Sequence, residues 1–217
     1  MDNAKIKTDI AAFCFNPFQE NTYIVYESRE AWIIDPGCSN GNERKMLESF
    51  LKKEGLTPIC IINTHCHIDH VIGNKWCKET YGIPLYIPDG EQMVLERLVD
   101  VGKMYNFPVE ASPSPDHLMY HDDTMVLGGK EWKLISAPGH SPASICLYYA
   151  QDNTLIAGDV LFFESIGRTD LPGGNHQRLL DSIVNQLFPL PDHTTVYPGH
   201  GPSTTIGHEK VHNPFLI

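Results

Sequence analysis

The stretch Ile59-Cys60-Ile61-Ile62-Asn63-Thr64-His65-Cys66-His67-Ile68-Asp69-His70 decides how the rest of the chain is read. It opens as an apolar run short enough for a buried strand and bounded by chemistry. It then passes without a break into three imidazoles and a carboxylate within six residues. In an extended segment, residues two apart share a face, so His65 and His67 can meet one ion together. Asp69 and His70 lie past the turn, in the helix that follows, and point elsewhere. That geometry suits two neighbouring ions rather than one. An isolated His-x-His is a weak signal, but the full His-x-His-x-Asp-His after an apolar strand is a strong one. A plain polar helix cap, with Asp69 capping, would leave three adjacent histidines without a purpose. Cys66 lies between two candidate ligands and should face the opposite way, as a buried thiol.

Working outward from this segment, strands and helices alternate. Ala31 to Asp35 reads as an apolar strand ending at Pro36-Gly37. Met46, Leu47, Phe50 and Leu51 share one face of a helix over 43–54, with Gly55 as its cap. Ile59 to Asn63 is the strand that carries the histidines. A helix over 72–80, a strand over 84–87 and a helix over 90–101 follow. Residues 102–115 hold Pro108, Pro113 and Pro115 with Met104, Tyr105 and Phe107. Such a long connection is either a lid over a site or a surface linker with packed aromatics. The second half is richer in strands, at 124–127, 132–136, 144–149, 154–157 and 195–197, with Gly128-Gly129 as a hairpin turn. Helices are expected over 178–187 and 205–211. The two halves share a similar alternation, which suits two sheets with helices outside.

The chain has 217 residues, closest to one domain at about 150 residues per domain. Lys plus Arg is 16 and Asp plus Glu is 27, a net charge of −11. Such a chain repels nucleic acid and anionic membranes, and no basic stripe offsets the repulsion. No run of about 18 apolar residues is present for a membrane span. The opening Met1-Asp2-Asn3-Ala4-Lys5-Ile6 lacks the apolar core of a signal peptide. The six cysteines, Cys14, Cys38, Cys60, Cys66, Cys77 and Cys146, are irregularly spaced with no Cys-x-x-Cys. They read as reduced thiols in a cytoplasmic protein.

Three more groups complete a coordination set. His140 follows Ala137-Pro138-Gly139, Asp159 follows Ile156-Ala157-Gly158, and His200 follows Tyr197-Pro198-Gly199. Alone, each is an ordinary turn or cap. Together they repeat one form: a strand, a small residue, then a ligand type. Seven N and O ligands can serve two ions if a carboxylate bridges and a water completes the set.

These motifs resemble the metallo-β-lactamase superfamily and, within it, the short glyoxalase-II-like metallohydrolases. The likeness runs from Ile33-Ile34-Asp35-Pro36-Gly37 through Thr64–His70, Pro138–Ser141 and Gly158-Asp159 to Pro198–Gly201. It implies an α/β chain folded as a four-layer αββα sandwich, one domain over 1–217, with metal at the sheet edges. It implies that His65, His67 and His140 hold one divalent ion and Asp69, His70 and His200 a second. Asp159 would bridge them opposite a shared hydroxide that Asp69 orients. Zinc is the expected metal, with iron or manganese as alternatives. Asp35 is expected to steady a ligand histidine, or simply to form a turn with Pro36-Gly37.

The same resemblance narrows the chemistry. A β-lactamase of the common zinc type would carry Cys in place of Asp159 and lack His70. Nucleic-acid-cutting members carry a large inserted domain. Glyoxalase II proper has a C-terminal helical region that grips glutathione, and here the chain ends 17 residues after His200. The expected activity is therefore hydrolysis of a small acyl thioester such as S-lactoylglutathione, with glutathione as carrier left open. Arg168 falls where glyoxalase II has a substrate-binding lysine and either pairs with a substrate carboxylate or with Asp170 or Glu164. Tyr105 either closes over the substrate or packs in the core. Persulfide dioxygenases share the fold and a segment like Gly167-Arg168-Thr169-Asp170; they would use one iron on His65, His140 and Asp159. A metal-binding module without activity is the third reading.

Overall fold

Two six-stranded sheets face each other in the computed structural model, which describes residues 9–217. The opening Met1-Asp2-Asn3-Ala4-Lys5-Ile6 lies outside the described residues. The first sheet runs in chain order: β1 (Asp9–Phe15), β2 (Glu20–Glu27), β3 (Glu30–Ile34), β4 (Thr57–Ile62), β5 (Leu85–Pro88) and β6 (His117–Met119). Its first three strands are antiparallel, and from β3 onward the pairing is parallel. The second sheet contains β7 (Thr124–Leu127), β8 (Lys130–Ser136), β9 (Ile145–Tyr149) and β10 (Thr154–Gly158). A two-stranded ribbon follows, β11 (Leu161–Phe162) with β12 (Ser165–Ile166). Then β13 (Thr195–Pro198) adds parallel to β10, and β14 (Thr204–Thr205) closes that edge.

Alternation along the strands explains the layers. Tyr23, Val25, Trp32, Ile34, Cys60 and Ile62 point between the sheets, where they meet Trp132, Leu134, Leu147, Tyr149 and Ile156. The Trp32 and Trp132 rings meet edge-on at 5.9 Å across this interface. The intervening Ile24, Ile33 and Ile61 point outward under the helices α1 (Gly41–Glu54), α2 (Ile68–Val71), α3 (Asn74–Tyr81), α4 (Gln92–Glu96) and α5 (Leu98–Met104). On the far side, Ile135, Cys146, Leu155 and Val196 pack on α6 (His176–Ser182), its π-helical extension Ile183–Leu187, and α7 (Ile206–His212). Strands buried on both faces read as unbroken apolar runs, the form seen around Ile61. The result is the four-layer αββα sandwich.

Several expected elements differ in detail. The strands β1 and β2 precede the first expected strand; β1 forms the edge of the sheet and β2 lies between β1 and β3. The helix expected over 90–101 is two short helices, because the backbone tightens at Arg97 (φ −83, ψ −2), whose N–H reaches the Val94 carbonyl at i−3. The Gly55 cap is left-handed and returns its N–H to Lys52. The 102–115 connection is held along α3: Asn74 donates to Ser112 at 3.1 Å, and Lys75 pairs with Glu110. Among the described residues, no helix is long and apolar enough to cross a membrane. All six cysteines are free, and Cys66 is buried in the outer core with Ile61 and Ile68.

Candidate metal centre

The carboxyl ends of the parallel strands converge on one edge of the sandwich, where open α/β sheets build their sites. Asp35 follows β3, His65 follows β4, Asp159 follows β10 and His200 follows β13 after Gly199. His140 comes from the loop between β8 and β9. The two sheets are laced at this edge: Asn21 donates its N–H to the Gly199 carbonyl at 2.7 Å, and Tyr23 its hydroxyl to the Pro198 carbonyl at 2.7 Å. The small residues in the motifs have a steric cause. A Cβ on Gly199 would overlap Asp159 Oδ1 and lie 2.8 Å from His70 Cε1. Gly158 has φ +51, and a Cβ there would overlap Thr64 Oγ1.

Two groups with metal-ligand geometry result: His65 with His67 and His140, and Asp69 with His70 and His200. A third set, Asp35 with His65 and His70, overlaps them. His67 Nδ1 lies 2.8 Å from His140 Nε2, which lies 3.2 Å from His65 Nε2. In the other group, His200 Nε2 is 3.1 Å and His70 Nε2 3.6 Å from Asp69 Oδ2. Asp159 lies between the groups. Its Oδ1 is 3.4 Å from His70 Nε2, and its Oδ2 is 3.3 Å from His140 and 3.5 Å from His200.

The outward nitrogens set the tautomers. His140 Nδ1 faces the Arg168 carbonyl at 2.7 Å, and His200 Nδ1 faces the Gln19 carbonyl at 3.1 Å. His70 Nδ1 faces Asp35 Oδ2 at 3.1 Å. His65 Nδ1 lies 3.2 Å from the Thr64 hydroxyl, which donates to Asp35 and so is free to accept. Each of these rings donates outward to oxygen and turns the lone pair of Nε2 inward. Lone pairs facing one another at these distances repel unless a cation lies among them. His70 Nε2 and Asp159 Oδ1 are buried there without a hydrogen-bond partner. The donor set fits two divalent cations with mixed N and O ligands.

Electrostatics agree. Burial, reinforced by His70, His140 and His67, pushes His65 well below the usual histidine range. Burial and His140 bring His67 down to about 3. For His70, burial acts downward, but Asp159, Asp69 and Asp35 outweigh it and hold the ring well above the ordinary value. Burial acts upward on Asp159, and His70, His140 and His65 overcome it, leaving the carboxyl well below its ordinary value. His200 is raised against burial by Asp69 and Asp159. Positive charge is therefore favoured at the carboxylate end, where a proton and a metal ion compete for the same nitrogens.

The sequence profile of the metallo-beta-lactamase superfamily matches residues 15–200, a span holding every group of this centre. The chain belongs to the metallo-β-lactamase superfamily. This superfamily member is 39% identical over 202 residues to the probable metallo-hydrolase YqgX of Bacillus subtilis, covering 92% of this chain and 93% of that one. It is 32% identical over 202 residues to the hydroxyacylglutathione hydrolase GloC of Haemophilus influenzae, again over 92% and 93%. The crystal structure of the BLEG-1 B3 metallo-beta-lactamase is similar with a TM-score of 0.88 at 40% identity, covering 96% of this chain and 99% of that one. The crystal structure of TTHA1623 in a di-iron-bound form gives 0.86 at 32% identity, over 95% and 100%. Two clusters of metal-ligand type side by side indicate a binuclear metal site, consistent with a metal-dependent hydrolase.

The remaining site candidates lie around this centre. Asp35 (φ +48) both makes the turn and accepts from Thr64 N–H, Thr64 Oγ1 and His70. Arg168 binds Asp170 through two bonds of 2.7 Å, with both side chains exposed. Tyr105 is half exposed, packs edge-on against Phe18 at 5.8 Å, and contributes to the field at Arg168. Phe107 meets the same Phe18 ring at 5.9 Å, so the 102–115 connection lays two aromatics on one residue. Sequence reasoning missed the buried polar frame. Asn16 donates to the carbonyls of Gly37 and Asp69 at 3.0 Å. Glu20 lies fully buried 4.0 Å from His70 Nδ1, and burial raises its carboxyl well above the ordinary value. Asn63 donates to the His70 carbonyl at 3.1 Å. Asn16 in Asn-Pro and Glu20 in Gln-Glu-Asn look like turn and surface residues in sequence.

Proposed function

We propose that the protein hydrolyses a small acyl thioester, S-lactoylglutathione being the model substrate, as a glyoxalase-II-like binuclear metallohydrolase. The place of Asp159 carries this reading, since its two oxygens reach 3.3–3.5 Å contacts with members of both clusters. His65, His67 and His140 would hold one ion, Asp69, His70 and His200 the other, with Asp159 between them. Two divalent ions held there, zinc first and iron or manganese as alternatives, would lower the pKa of a bound water toward neutrality and would polarise the thioester carbonyl. Asp69 accepts a hydrogen bond from the attacking water and orients it. Asp35 holds the His70 ring with Nε2 inward. Arg168 takes a substrate carboxylate, and Tyr105 lies along the acyl or carrier chain. The new C–O bond forms as the C–S bond breaks, and the thiolate leaves.

The likeness to the Haemophilus hydroxyacylglutathione hydrolase supports the substrate class. Six free thiols support a reducing compartment such as the cytoplasm. The BLEG-1 likeness at 40% identity favours a β-lactam as a second acyl substrate for the same centre. The test begins with metal content in protein purified without chelator or added metal. Close to two ions per chain is expected, followed by release of thiol from S-lactoylglutathione or a simpler acyl thioester. Nitrocefin tests the β-lactam reading in the same samples. Close to one iron per chain, with oxygen consumed on adding glutathione persulfide, overturns the hydrolase in favour of persulfide oxidation. Two ions with no turnover of any thioester overturns the substrate class.

A further inference from the structure

Glu91 stands at the start of α4, and its side chain is fully buried. Its carboxylate reaches two different loops. Oε2 accepts from the Cys66 N–H at 2.9 Å, the residue between His65 and His67. Oε1 accepts from the Ala143 N–H at 2.8 Å, three residues past His140. The Ser141 hydroxyl, next to His140, lies 2.7 Å from both oxygens. One carboxylate therefore ties the loop after β4 in the first sheet to the β8–β9 loop in the second. The only other tie among the described residues between these loop backbones is Ile145 N–H to the Thr64 carbonyl at 2.9 Å.

The first cluster straddles this seam. His65 and His67 stand on one loop and His140 on the other, with their nitrogens 2.8–3.2 Å apart. The seam brings together three donors and needs acceptors from the residue that spans it. A carboxylate offers only acceptors. A glutamine has the same shape but must turn its NH2 toward either Cys66 N–H or Ala143 N–H, leaving a buried donor unpaired.

We propose that Glu91 is a positioning residue that sets the distance of His140 from the His65–His67 pair, and so tunes the affinity of that cluster for its ion without touching it. The proposal rests on the metal-ligand reading above. Supporting shells of this kind typically change metal affinity by about 10–100-fold.

The test separates the clusters. Zinc(II) affinity is measured by competition with a chromophoric chelator in two single-cluster backgrounds. His200→Ala keeps the first cluster, and His140→Ala keeps the second. Adding Glu91→Gln is expected to weaken zinc binding about tenfold in the His200→Ala background. In the His140→Ala background the affinity should stay within about twofold. An equal loss in both backgrounds means general loosening and overturns the proposal, as does no loss in either. Failure of both parent backgrounds to bind zinc overturns the ligand assignment itself, and this proposal with it. If Glu91→Gln does not fold, Ser141→Ala removes one donor only. A loss of two- to threefold confined to the His200→Ala background then supports the proposal, and no such loss overturns it.

Discussion

Arg168 shows how little a single exposed pair constrains a site. Its guanidinium is bound to Asp170 by two 2.7 Å bonds, with both side chains more than half exposed. A pair so exposed is screened by solvent and holds its partners weakly, so exchanging Asp170 for a substrate carboxylate costs little. The backbone carbonyl of the same residue accepts from His140, and truncating the side chain leaves that bond in place. Arg168→Ala is therefore expected to raise KM for an anionic thioester about tenfold, with kcat and metal content unchanged. A KM that does not move leaves the side chain as the partner of Asp170 alone. Other residues at this scale were legible only by type. Histidines and aspartates after small residues advertise their chemistry, but Glu20 and Glu91 do not. A buried acid and a surface acid have the same letter, and only packing shows that both are fully enclosed.

At the scale of elements, the end of β13 illustrates what a motif spacing means physically. Pro198 pairs with Gly158 across parallel strands, and Gly199 returns its N–H to the Gly158 carbonyl at 2.8 Å. There is no room for a methyl group between that turn and Asp159. Gly199→Ala should push Asp159 out of its place, costing about 1–3 kcal/mol through overpacking. The expected outcome is fewer than two ions per chain, by metal analysis, in protein whose far-ultraviolet circular dichroism is unchanged. Retention of two ions would show that the carboxylate has slack. The helix and strand content around this turn followed from periodicity, with ends shifted by a few residues. What periodicity missed were β1 and β2, the short strands β6, β11, β12 and β14, and the break at Arg97. β1 is a half-exposed edge strand with a weak alternation, β2 lies inside the sheet as a mostly buried run without one, and a one-residue tightening leaves the helical pattern of Leu95 and Leu98 intact.

Across the whole molecule, the centre stores opposing charge preferences that pH exposes when metal is removed. His67 titrates at about 3 in the folded chain against 6.5 ordinarily. Below about 6.5 the unfolded chain takes up a proton that the folded chain refuses, so this group's stability is lost as pH falls from about 6.5 toward 3, at up to about 1.4 kcal/mol per pH unit. His70 acts in the other sense: raised by three carboxylates, it contributes fully below about 6.5 and loses its contribution as pH rises through its folded value. In chelator-treated protein, His67→Ala is expected to shrink the gap between urea midpoints at pH 7 and pH 5. A gap of unchanged size would show that other groups set the acid limb. Rebinding of metal should raise stability at pH 7 by mass action.

The amino-acid sequence by itself determined the αββα layering and the seven residues of metal-ligand type. Both are written locally, in apolar runs that must be buried on two faces and in polar residues placed at strand ends. The family resemblance already implied how those residues divide between two ions; only the tertiary structure brought the members of each group to 2.8–3.6 Å and set Asp159 between the groups. It alone also showed that Glu91 spans the seam between the two halves. Those facts depend on bringing positions some 50 to 180 residues apart to within hydrogen-bond distance, as Glu91 meets Ser141 and His200 meets Gln19. Separations of that kind are settled by how two sheets pack, which no local pattern records.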